Sequence, residues 1–209
     1  MGETVKARER RKREGWFERF APPAEAGIDI GCGNDPLNES FRRWDKGDGD
    51  ATYMASVPDD MFRTVYASHV LEHLDDPIAA LRNWYRITAP NGRLIVCVPH
   101  RDLYEKKKCL PSRWNPEHKT FWLPDRSEPP CTWSLRDVVE AALPCAEICL
   151  LRVLDDEFHD PGADEHSQGE YSIEVVLRKP AACVVAPQVP EIRRSAGAAA
   201  HHQQVLVVG

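Results

Sequence analysis

The chain has 209 residues, 42% of them hydrophobic, which is enough for one domain with a sizeable core. Its formal net charge of -6 excludes a protein held to nucleic acid by overall charge. No apolar run is long enough to span a bilayer and no signal peptide is evident, so the expected location is cytoplasmic. The seven cysteines are scattered with no Cys-x-x-Cys pair, and no histidine lies near Cys145 and Cys149 at ligand spacing. That pattern predicts reduced thiols, no zinc site and no disulfide.

The first element is basic. "KARERRKRE" carries its positive charge over residues 6–13, with Glu9 and Glu14 placed to pair with arginines along a helix. A solvated helix over residues 5–20 is expected. "AGIDIG" follows as a short β-branched strand that runs straight into Gly31-Cys32-Gly33, where the backbone must turn sharply and stay uncovered. "TVYASHVL" (residues 64–71) is a second β-rich run leading into a turn.

"DPIAALRNWYRITAPNG" reads as a helix: Pro77 suits its first turn, Ile78, Leu81 and Tyr85 share a face, and Pro90-Asn91-Gly92 ends it. "RLIVCVP" (residues 93–99) is a continuous apolar run, the pattern of a strand covered on both faces. Residues 100–133 break this rhythm with Pro, Trp, Lys and Arg. "SLRDVVEAAL" restores a helix, with Ser134 as N-cap and Asp137 in the capping-box position. "AEICLLRVL" and "YSIEVVLRK" are two strands joined by an acidic loop. Residues 180–209, rich in Ala, Pro and His, are expected to be a disordered tail. Strands alternating with helices predict a mainly parallel sheet that binds ligands at its strand C-termini.

The turn "GIDIGCGNDP" lacks the third glycine of a dinucleotide fingerprint, since Pro36 stands there. Its order, Asp-x-Gly-x-Gly, resembles the first motif of the class I S-adenosylmethionine-dependent methyltransferases. "ASHVLEHLDDP" followed by "LRNWYRITAPNGRLIVCVP" resembles the downstream segment, helix and strand of that superfamily's small-molecule branch, so the likeness covers about residues 26–100. It implies an α/β, Rossmann-like, mainly parallel seven-stranded sheet with an antiparallel C-terminal strand pair and helices on both faces. It also implies one domain over residues 1–179, with residues 100–133 inserted over the acceptor site.

The implied cofactor is S-adenosyl-L-methionine, against Asp29, Gly31, Cys32, Gly33, Asp45, Asp50, Ala51 and His69. Gly31 and Gly33 would let backbone pass close beneath the amino-acid tail and ribose, while Asp29 orders the loop. Asp45, sixteen positions after Asp29, would accept both ribose hydroxyls, with Asp48 its rival because the usual helix after the second strand is nearly deleted. Asp50-Ala51 would meet adenine. "DKGDGD" lacks the ligand pattern of a calcium loop. His69 and His73 stand four apart without the zinc-protease motif. The resemblance places His69 at the cofactor and makes Glu72 and His73 part of the following turn, so no metal ligands are assigned.

The insertion also resembles a subset of these enzymes that modify bacterial surface glycans and sugars, through "DIGCGNDP", "SHVLEH" and "RWNPEHK" in series. Trp114 and Trp122 would stack on a sugar face, with Tyr104, Arg113, Asn115 and Lys119 completing a polar ring. His118 is the expected general base, ahead of His100, because imidazole titrates near neutral pH. The implied reaction is methyl transfer to a hydroxyl of a sugar, glycan or related small molecule. Transfer to nitrogen or carbon, or a non-catalytic cofactor-binding module, is the alternative, and the sequence leaves the oligomeric state open.

Overall fold

Gly15 divides the expected first helix in two. In the computed structural model, which describes residues 3–182, it takes φ 61° and ψ 29°. The left-handed turn separates α1 (Glu3–Arg13) from α2 (Trp16–Phe20). The chain then enters β1 (Gly27–Ile30), which pairs in parallel with β2 (Arg42–Trp44) on one side and β3 (Phe62–Ser68) on the other. Asp76 caps α3 (Pro77–Ile87) by accepting from the Ala79 amide at 2.9 Å, and Pro77 occupies its first turn. The helix returns the chain to β4 (Thr88–Pro99), parallel to β3.

The chain next forms β5 (Phe121–Leu123) and β6 (Thr132–Ser134), a small parallel pair. Ser134 caps α4 (Leu135–Ala142) as expected, its Oγ accepting from the Asp137 amide at 3.1 Å. β7 (Glu147–Leu154) and β8 (Ser172–Arg178) close the sheet antiparallel to each other, with β8 antiparallel to β4.

The order of the main sheet is β2-β1-β3-β4-β8-β7. The architecture is the expected Rossmann-like one, with six strands where seven were expected. Residues 45–61 form turns in place of a further helix and strand. "DKGDGD" explains this, because Asp and Gly favour turns and leave no apolar alternation for a strand.

Helices cover both faces. Leu81, Trp84 and Ile87 of α3 and Leu135 and Val139 of α4 pack on Ile28, Val65, Leu94 and Val175. Trp16 and Phe20 of α2 pack with Phe41, Tyr66, Ile95 and Val176 on the other side. Full burial of the C-terminal half of β4 accounts for its unbroken apolar run.

Two expectations change. Cys145 is disulfide-bonded, so the chain is not disulfide-free. The scattered spacing gave no signal of the pairing. The basic first helix is not simply solvated either: Arg10 and Arg11 are buried against Glu170 and Glu174. No helix among the described residues is long and apolar enough to cross a membrane. Beyond residue 182, the expected tail lies outside the described residues.

Candidate methyl-transfer cleft

The site begins where β1 ends. Gly31 takes φ 72° and its amide donates to the Trp44 carbonyl at 2.7 Å, tying the ends of β1 and β2 together. A Cβ on Gly31 would lie 2.3 Å from Val70 Cγ2, whereas one on Gly33 (φ 51°) would meet nothing within 4 Å. Gly31 therefore makes room for the protein's own side chain, and Gly33 is the glycine that faces open space. The Gly33 amide donates to Asp45 Oδ2 at 2.8 Å. Asp48 accepts from the Asp45 amide at 2.9 Å and so supports the loop from behind. Asp29 is buried and accepts from the Leu37 amide at 2.7 Å. Burial pushes its carboxyl up to about 7, against the opposing pull of that amide.

Around this turn lies a cleft of about 530 Å³, within the usual range for small-molecule sites. Gly31, Asp45, Asp50, Ala51 and His69 line it, with Trp44, Val70, Leu74 and His73 completing the wall. A smaller cavity of about 150 Å³ shares Gly31 and His69 with the cleft and is otherwise lined by Asp29, Asp35, Cys32, Ser68 and Thr4. The expected cofactor residues thus line one cavity or the other, except Gly33, which holds Asp45.

The insertion is packed rather than open. Tyr104, on the π-helical turn Arg101–Glu105, stacks on His118 at 5.5 Å between centroids. Trp114 Nε1 donates to the Tyr104 carbonyl at 2.8 Å, and the indole lies 5.3 Å from the His166 ring. Arg113 donates to the Ala163 carbonyl and, at 2.8 Å, to Asp164. Asn115 Oδ1 accepts from the Glu117 amide at 3.1 Å. Tyr104, Arg113, Trp114 and Asn115 line neither cavity, because these contacts tie the insertion to itself and to the acidic loop. Trp122 cannot stack on a ligand at all: it is fully buried in β5, with its ring 5.9 Å from that of Trp133. Lys119 pairs with Asp75 at 2.6 Å, while its amide donates to the Glu72 carbonyl at 2.7 Å.

His118 is buried and lines neither cavity; it packs behind His73, which lines the cleft. Its Nδ1 hydrogen-bonds Glu105 Oε1 at 2.5 Å, and Glu105 Oε2 accepts from Ser112 Oγ at 2.5 Å. Its Nε2 lies 3.9 Å from Glu72 Oε1, and its ring is 4.8 Å from that of His73. Burial, and secondarily His118, hold the His73 imidazole below its ordinary value. His69 Nε2 meets Ser172 Oγ at 2.8 Å. His100 instead caps the π-helical turn, its Nδ1 accepting from the Asp102 amide at 3.2 Å, and it lies outside the cleft.

The sequence model described as a methyltransferase domain matches residues 5–129. The chain belongs to that family. Within it, this methyltransferase is a class I, S-adenosylmethionine-dependent type. No curated protein matches it in sequence. Its fold is similar to that of a putative methyltransferase from Bacillus halodurans C-125, at 15% identity and a TM-score of 0.54, covering 80% of this chain and 98% of that one. It is also similar to the [4+2]-cyclase SpnF at 15% identity and a TM-score of 0.52, covering 82% of this chain and 81% of that one. A putative methyltransferase from Haloferax volcanii, solved in complex with the Trm112 activator, matches at 12% identity and a TM-score of 0.52, over 85% of this chain and 95% of that one.

The cavities of this methyltransferase fit the family's cofactor. Two cavities of unequal size that share Gly31 and His69 suit an elongated molecule with a bulky nucleoside end and a slender amino-acid end. A carboxylate held at the end of β2 suits a diol, and the smaller chamber supplies Asp29 and Asp35 for a cationic tail. Sequence reasoning missed Glu72 and Glu105, which flank His118. Glu72 read as turn chemistry and Glu105 as part of an aperiodic stretch, and only the folded insertion brings them together.

Proposed function

We propose that this methyltransferase transfers a methyl group to a hydroxyl of a sugar, glycan or related small molecule. The reading is carried by the buried His118–Glu105 pair beside the cleft. Bound S-adenosylmethionine supplies a methyl carbon already activated by its sulfonium. Asp45 accepts from the ribose hydroxyls, Asp50 and Ala51 meet the adenine, and the turn from Gly31 to Gly33 with Asp29 and Cys32 holds the tail. His69 stands between the two chambers.

Glu105 accepts the His118 Nδ1 proton and leaves Nε2 as the proton acceptor. Methyl transfer to the acceptor oxygen would require its hydroxyl proton to be removed. The hydroxyl proton passes to His118 Nε2. The domain is residues 1–179, and residues 100–133 reach the cleft through Glu117 rather than through Tyr104, Arg113, Trp114 and Asn115.

An acceptor screen with methyl-labelled cofactor tests this reading. Label should appear on a hydroxyl of a sugar-type acceptor, and His118→Ala should cut turnover by roughly 10²–10⁴-fold with little change in cofactor affinity. Label on nitrogen or carbon would overturn the hydroxyl reading. Cofactor binding without turnover on any acceptor would favour a regulatory module.

A further inference from the structure

His118 belongs to a second constellation that the methyl-transfer reading does not use. Among the described residues, Glu72, His73 and His118 each offer one ligand atom, and these atoms lie within 4.8 Å of one another. Glu72 Oε1 is 3.8 Å from His73 Nε2 and 3.9 Å from His118 Nε2. Four-coordinate zinc with bonds near 2.1 Å would set its ligand atoms about 3.4 Å apart, so modest side-chain rotations close the set. His73 is half-buried and has room to make them.

We infer that Glu72, His73 and His118 bind one divalent transition-metal ion of the zinc class. The donor set carries this choice: two imidazoles and one carboxylate suit zinc and its first-row neighbours, whereas magnesium and calcium take oxygen ligands. Three protein ligands leave a coordination position for water or an acceptor oxygen. Of the three, His73 lines the cleft.

The surroundings are organised as metal sites are. Glu105 accepts from His118 Nδ1 and is itself held by Ser112, an outer carboxylate that orients a ligating imidazole. The Lys119 and Thr120 amides donate to the Glu72 carbonyl at 2.7 and 3.4 Å, fixing the turn that carries two ligands to the strand that follows the third. A bound ion takes the His118 Nε2 lone pair, so the loaded site and the imidazole base are mutually exclusive states of this residue; ion binding itself does not rest on the proposed acceptor placement.

The test is titration of chelator-treated full-length protein with zinc alone, followed by cobalt substitution and visible absorption. One equivalent should bind at this site, with a cobalt spectrum of nitrogen and oxygen ligands. His73→Ala and His118→Ala should each weaken it by 100-fold or more, and Glu105→Gln by about 10–100-fold. His73→Ala, at the half-buried position, guards against a variant that merely fails to fold, and far-UV circular dichroism verifies each variant. Absence of a stoichiometric ion, or an ion whose affinity survives both histidine changes, overturns the site. Titration of the same samples with S-adenosylmethionine reads the methyltransferase assignment separately.

Discussion

At Gly31 the glycine requirement comes from inside the protein. The sequence suggested that a side chain there would fill ligand space, yet the nearest obstacle is Val70 Cγ2 at 2.3 Å. Gly31→Ala should therefore destabilise the fold by about 1–3 kcal/mol, through overpacking and a left-handed backbone. Adding Val70→Ala should recover part of that loss in denaturant melts, and additive losses would refute the contact. Asp29 offers a second test. Its carboxyl holds a proton to about pH 7 because it is buried. A cationic tail in the smaller chamber favours the ionised form, so cofactor binding near pH 6.5 should release a proton and tighten as pH rises through about 7. Calorimetry in two buffers of different ionisation heat reads the release, and Asp29→Asn should abolish the difference. For folding the sign is reversed. The native state keeps a proton that the unfolded chain loses near pH 4, so this residue's contribution is full at low pH and declines towards pH 7.

At the scale of elements, legibility followed sequence distance. β1, α3, β4, α4, β7 and β8 were readable because periodicity and caps are local signals: Pro77 and Ser134 mark their helices without reference to anything far away. The burial of α1 was not readable. Its partners lie on and just before β8, with Arg10 joined to Glu170 and Arg11 to Glu174 across more than 150 positions. Arg11 donates to Tyr66 at 3.1 Å and to Glu174 at 3.0 Å, and Trp16 Nε1 shares that carboxylate at 3.1 Å. The intact pair adds little net stability, but removing one partner strands a buried charge. Arg11→Ala should cost about 3–5 kcal/mol. Arg13→Ala, which breaks an exposed pair with Asp156, should cost about 1 kcal/mol or less. Equal small losses in urea unfolding would mean that α1 docks without the buried pair.

Across the whole molecule, the glycine turn and the carboxylates after β1 and β2 were legible because a superfamily motif compresses them into a few dozen residues. The chemistry around His118 was not, since Glu72, Glu105 and His118 meet only after the insertion folds back over the turn that follows β3. The cleft and the smaller cavity likewise draw on distant parts: Thr4 from α1, the ends of β1 and β2, His69 after β3, and Glu117 from the insertion. A ligand held by all of them should stabilise the molecule as a unit. At 100 times its dissociation constant, S-adenosylmethionine should add about 2.7 kcal/mol, raising the melting midpoint by roughly 5–11 °C for a chain of this size. The disulfide at Cys145 should stay oxidised during the scan, so that one transition is compared with one. Asp45→Ala removes the carboxylate that holds Gly33 and faces the cleft, and should weaken binding by about 1–3 kcal/mol. Its ligand-free midpoint should stay close to the parent's, because Asp45 is only partly buried, while most of the cofactor-induced shift should vanish. Asp48→Ala should keep most of the shift, since that side chain only supports the Asp45 backbone. If Asp48→Ala abolishes the shift and Asp45→Ala keeps it, the ribose carboxylate is Asp48, and the turn after β2 rearranges when the cofactor enters.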